Sequence, residues 1–181
     1  MCITLSGYNI ALCGTSPGGL TKVWAASKKS LSFMPKDFNL GFLPAPTTIG
    51  QTTTPITMLG SAKFVEIGFL ADNAGYEFKV GGDPGNNFVE QMLKINVPKY
   101  SPEHFRMVVE MLGNELILVA EALDESTDQY GLLVFGSAQR GLLLDADHKG
   151  GTKFSDKKET LFAFKGGFKH PPFFYKAVLP I

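Results

Sequence analysis

Cysteine, histidine, tryptophan and charge are all scarce in this chain, and each shortage removes a class of function. Its 181 residues include two cysteines, three histidines and one tryptophan. Cys2 and Cys13 stand in no CxxC or metal-ligand spacing and are too few for a disulfide framework. His104, His148 and His170 are far apart in sequence, so no local pair of imidazoles offers a zinc site. No stretch approaches the roughly 20 apolar residues of a membrane-spanning helix, and no membrane insertion is expected. The opening MCITLSGYNIALCG has no basic n-region, and Thr4, Ser6, Gly7 and Asn9 interrupt its apolar residues, so it does not read as a signal peptide. Synthesis and use in the cytoplasm of a host cell is the simplest expectation.

Motifs that carry chemistry are equally sparse. Ser137 lies in GSAQRG, which lacks the GxSxG spacing of a nucleophile elbow. The pairs Gly18-Gly19, Gly81-Gly82, Gly150-Gly151 and Gly166-Gly167 have neither a Walker lysine nor a GxGxxG pattern ahead of a helix, and read as turn or bulge glycines. Asp145, Asp147 and His148 come nearest to a ligand set, without the Gly and distal Glu of a calcium loop. Glu66, Glu77, Glu90, Glu121 and Asp124 could supply a glycosidase pair, but they alternate with apolar residues as the solvated faces of strands do. No catalytic, cofactor-binding or metal-binding residue is assigned, and the chain reads as a non-enzyme without a cofactor.

Charged residues make up 19% of the chain, below the usual share of about 25%. Formal net charge is zero but unevenly placed. From Glu66 to Asp128 twelve acidic residues face four basic ones, a balance of −8 that leaves +8 for the remainder. Low charge with 12% aromatic residues implies that part of the surface is covered by other copies, and the split charge permits head-to-tail stacking. A free-standing nucleic-acid binder would be basic overall.

What the chain has in quantity is strand. LTKVWAASKKS, SAKFVEIGFLA, YEFKVGG, FVEQMLKINVP and ELILVAEAL carry strand patterns, with Trp24 as a core residue. YGLLVFG and RGLLLDAD, broken at Ser137-Ala138-Gln139, read as a buried hairpin. A second hairpin is expected to turn at Asp72 to Gly75. Leu161 to Phe168 alternates before the turn at Pro171-Pro172. SPEHFRMVVEMLG, about residues 101–113, is the one helix: Ser101 caps it, Pro102 takes the first position, and Phe105, Val108, Val109 and Leu112 form one apolar face. From residue 34 to 57 the prolines Pro35, Pro44, Pro46 and Pro55 prevent regular structure, giving an extended loop or arm anchored by Phe33, Phe38, Phe42 and Leu43. The expected fold is mainly β (α+β): a β-barrel or two packed antiparallel sheets with one flanking helix, in a single domain spanning 1–181.

The order of parts resembles a structural protein of tailed phages of Bacteroidetes-type bacteria. The likeness is carried by Cys13 before Pro17-Gly18-Gly19-Leu20, KVWAA, KFVEIGFL, SPEHFRMVVEMLG, YGLLVFGSAQRGLLLDAD and SDKKETLFAFKGGFKHPPFFYKA. It implies a virion protein of the tail-tube type, whose subunits form homo-hexameric rings that stack head to tail into a conduit for DNA ejection. Other tail proteins would be partners, with genomic DNA passing through non-specifically. Under it, Phe33, Phe38 and Phe42 are expected as inter-subunit anchors, with Lys28, Lys29 and Lys36 facing acidic groups of the next ring. A head-tail connector, a tail-end ring protein and a soluble ligand-binding β-barrel are the alternatives.

Overall fold

The computed structural model describes residues 19–35, 51–69, 73–83, 87–97, 101–124, 129–149 and 159–181. It is mainly β, with antiparallel sheets and one α-helix, α1 (Pro102–Met111). The strands are β1 (Leu20–Ser27), β2 (Leu31–Phe33), β3 (Gln51–Thr52), β4 (Thr57–Met58), β5 (Val65–Glu66), β6 (Ala74–Gly81), β7 (Phe88–Val97), β8 (Leu116–Asp124), β9 (Gln129–Phe135), β10 (Leu143–Lys149), β11 (Glu159–Phe168) and β12 (Phe173–Tyr175). Six of them form a sheet in the order β3-β12-β9-β8-β1-β5, four form a second sheet in the order β10-β11-β7-β6, and β2 pairs with β4. Among the described residues only the β3–β12 pair is parallel. Of the two expected architectures, the sheets adopt the packed form and do not close into a barrel.

The six-stranded sheet is buried on both faces, which explains why its strands read as continuous apolar runs. Along β8, Leu116, Leu118, Ala120 and Ala122 point into a first core shared with the four-stranded sheet, where Leu93, Ile95, Phe162 and Phe164 meet them. Ile117 and Val119 point the other way, into a second core with Trp24, Phe173 and Tyr175. Trp24 thus has its expected role. Met34, Ile56, Phe64 and Leu179 cover this second core. The four-stranded sheet has a solvated outer face and keeps an in/out alternation, clearest along β7.

Two expected hairpins are instead passages between sheets. β9 belongs to the six-stranded sheet and β10 to the four-stranded one. Gly136 turns the chain at φ 104°, and Ser137 N–H donates to the Arg140 carbonyl at 2.8 Å. Leu142 exchanges both backbone hydrogen bonds with Leu116, at 2.8 and 2.9 Å, before β10 departs toward β11. A Cβ on Gly141 would lie 2.7 Å from the Leu116 backbone, so glycine permits this close approach. Likewise β5 pairs with β1, whereas β6 pairs with β7. The segment read as a long strand from Ser61 holds only the two residues of β5. Local alternation identifies a strand but cannot tell which partner takes its edge.

α1 forms where the capping pattern predicts, and Gly113 follows it at φ 70°. Of the expected face only Val108 packs on the first core, where Met107 and Met111 join it, while Phe105, Val109 and Leu112 are exposed. The helix is apolar on two sides, and the short Asn114-Glu115 link to β8 fixes which side turns in. Both ends of the expected arm are docked on their own subunit. Met34 and Ile56 are 4% and 2% exposed, and β3 extends the six-stranded sheet. Residues 36–50, with Lys36, Phe38 and Phe42, lie outside the described residues.

Gln91 ties the layers together. Wholly buried on β7, it donates from Nε2 to the His170 carbonyl at 2.8 Å and accepts the Gly136 N–H on Oε1 at 3.0 Å. One amide thereby satisfies two buried backbone groups, at the β9–β10 and β11–β12 passages between the sheets. His170 lies between the rings of Phe168 and Phe173, with centroids 6.1 and 6.0 Å away, and its Nδ1 is 2.8 Å from the Pro171 carbonyl.

Substituting Gln91→Leu strands a donor and an acceptor in the core, and should lower stability by about 2–4 kcal/mol in urea denaturation. His170 supplies a pH dependence. Burial pushes its imidazole pKa below the ordinary value, opposed by the Pro171 carbonyl. Below about pH 6.5 the unfolded chain then binds more protons than the folded one, so stability should fall as pH falls through that region and stay level above about pH 7. Denaturation at a series of pH values should show this slope in the parent and lose it in His170→Phe.

Candidate interaction surface

Among the described residues, no group of three or more His, Cys, Asp or Glu is placed to hold a metal ion. Strand alternation separates the trio on β10, since Asp145 and Asp147 share one face and His148 takes the other. Asp145 accepts from Lys165 at 2.6 Å, and His148 Nδ1 lies 2.8 Å from Thr160 Oγ1. Ser137 and Arg140 bond to each other within their turn. Glu77 is bound by Lys94 at 2.8 Å, and Glu121 accepts from Thr21 at 2.6 Å. Asp145, His148, Glu77 and Glu121 are thus engaged by residues on neighbouring strands, in an arrangement suited to holding sheet faces.

Two of the residues singled out in the sequence, Lys28 and Phe33, line one hollow of about 400 Å³ with Leu31, Ser32, Met34, Ser137 and Ala138. Lys28 sits in a 3-10 turn directly after β1, and β2 follows at once. Its ammonium donates to Glu115 at 2.8 Å and to the Gln139 carbonyl, both in its own chain. The same pair holds the Glu115 carboxyl below its ordinary pKa, chiefly through the Lys28 hydrogen bond, with burial opposing. Phe33 is 47% exposed at the end of β2, and Lys29 is exposed beside it. The hollow lies where the chain leaves for residues 36–50, so it forms the root of the expected arm.

A second surface was not singled out in the sequence. β6 and β10 are the end strands of the four-stranded sheet. On β6, Tyr76, Phe78 and Val80 share the face that looks toward the six-stranded sheet, and Tyr76 packs edge-on against Phe135 at 5.7 Å. Further along this end strand, Phe78 and Val80 are 51% and 66% exposed, although their β7 partners Gln91 and Val89 are buried. Phe88 is also exposed, on the opposite face. The alternation of YEFKV marks a strand in sequence, but only the reach of the neighbouring sheet decides which apolar side chains stay uncovered.

Replacing Lys28→Met should raise the pKa of Glu115 toward its ordinary value, as read by NMR titration of the carboxyl. Since the native shift is downward, the pair's stabilisation is present above about pH 4.5 and lost as pH falls. It is partly solvated, so the loss at neutral pH should be under about 1 kcal/mol.

Comparison with protein-family models, curated proteins and solved structures finds no match to this chain.

Proposed function

We propose that the chain is a structural virion subunit of the tail-tube type, building stacked homo-hexameric rings around a passage for DNA. The four-stranded sheet carries this reading. Its strands alternate in direction, so β10 and β6 run oppositely at its two ends. Copies related by rotation in a ring can then set β6 of one beside β10 of the next, with the antiparallel sense continued across the junction. Among the described residues no further strand pairs with either end strand. The outer face supplies Lys79 on β6 and Asp145 and Asp147 on β10, opposite charges for such a seam. The exposed Phe78 and Val80 add apolar surface at the same edge.

In this assembly residues 36–50, with Lys36, Phe38 and Phe42, would leave the Phe33 hollow and dock on the adjacent ring, while Lys29 faces acidic groups across the gap. The role is passive. Subunits add edge to edge, other tail proteins bind the ends, and DNA passes without sequence-specific contact. The mixed charges of the outer sheet face suit a wall that does not grip phosphate.

Negative-stain microscopy of the purified chain should show stacked rings. Lone rings would indicate a connector or tail-end component instead, and monodisperse small particles under every assembly condition would overturn the proposal. Val80→Lys should block ring formation while leaving the far-UV circular dichroism unchanged, because it charges an edge without touching the core. Replacing residues 36–50 by a short Gly/Ser linker keeps Met34 and Ile56 in place, and should leave rings that do not stack.

A further inference from the structure

The outer side of α1 carries a row that nothing among the described residues covers. Phe105, Val109 and Leu112 are 59%, 55% and 66% exposed. Spacings of four and three residues place them along one side of the helix. Leu112 N–H donates to the Val108 carbonyl at 2.8 Å, so it continues the helical ladder beyond Met111. Along one flank of the row run Arg106 and Glu110, joined at 2.7 Å.

We propose that α1 is the contact surface of a twofold pair, its outer row packed antiparallel on the same row of a second copy. Two independent features share one centre. The apolar row from Phe105 to Leu112 is centred between residues 108 and 109, and the Arg106/Glu110 pair is centred on residue 108. The offset is under about 1 Å of helix rise. A twofold axis through this point, perpendicular to the plane of the two helices, brings both charged flanks to the same side of the pair. Arg106 of each copy then stands opposite Glu110 of the other, and the ion pair within each helix is exchanged for two between helices. A parallel pair would leave the flanks on opposite sides and lose that match.

The contact is isologous and closes on itself. Three apolar side chains and two charges per copy cover much less than the roughly 800 Å² per partner of a stable interface, so the pair is weak and dependent on concentration. It uses none of the residues assigned to the ring seam. A twofold has no place within a head-to-tail stack of rings, so the pair joins free subunits or separate tubes, and the two proposals stand or fall separately.

The test uses the full chain with Cys2→Ser and Cys13→Ser. Val109→Cys, next to the axis, should form a disulfide-linked dimer on mild oxidation. Phe105→Cys and Leu112→Cys should each stay uncrosslinked alone but crosslink to one another when mixed. Self-crosslinking at all three positions would mean parallel packing, and no crosslinking at any would mean no pair; either overturns the proposal. In sedimentation equilibrium, Leu112→Lys should weaken the pair at least about tenfold. Arg106→Glu should weaken it several-fold, and Arg106→Glu with Glu110→Arg should restore it to within about twofold. Pairing that Leu112→Lys leaves undiminished would also sink the idea. All these positions are exposed, so circular dichroism should report an unchanged fold.

Discussion

Ile117 and Leu118 are adjacent on β8, point to opposite faces of the sheet, and are both fully buried. That is the constraint on which the rest of the structure depends. A sheet apolar on both sides must be covered on both sides, and a four-stranded sheet covers one. The other is covered by segments with little regular structure: β2, β4, the Phe64 region and the C-terminal residues around Leu179. Tyr175 fastens that cover, its hydroxyl accepting the Ile56 N–H at 3.0 Å and donating to the Val178 carbonyl at 3.1 Å. Wholly buried aromatic side chains such as Phe135, Phe164 and Phe173 each contribute about 1.5–3 kcal/mol through burial.

Gln91 and His170 enter this apolar interior where the chain passes between layers. Gln91 serves both the Gly136 and His170 passages, and His170 fills the second with a ring rather than a charge. Titratable groups elsewhere are held by neighbours near solvent, as in Lys28–Glu115 and Lys165–Asp145. The uncovered apolar surface includes the β6 edge, the Phe33 hollow and the outer row of α1, beside scattered residues such as Val65 and Val178. The tail-tube proposal takes the β6 edge as the surface where copies meet.

Much of this was legible from residue order. The strands of YEFKVGG, FVEQMLKINVP, ELILVAEAL and TLFAFKGGF declare themselves by alternation or by apolar runs, and α1 by its Ser-Pro-Glu start and closing glycine. Lys28 and Phe33 could be singled out because a basic turn and an aromatic precede a proline-rich segment. The exposed row of Phe78 and Val80 could not, because its strand alternates as a buried one would.

Sequence by itself determined the mainly β class, the single described helix, the core role of Trp24 and the lack of a recognisable catalytic motif, since each depends on local propensity or on residue types. Only the tertiary structure decided that YGLLVFG and RGLLLDAD lie in different sheets, that α1 turns Met107 and Met111 inward rather than Phe105 and Leu112, and that Lys28 is held by Glu115. In each case the local pattern allowed two partners of similar chemistry. The choice fell to chain connectivity and to the close backbone approach at Gly141, which no periodicity encodes.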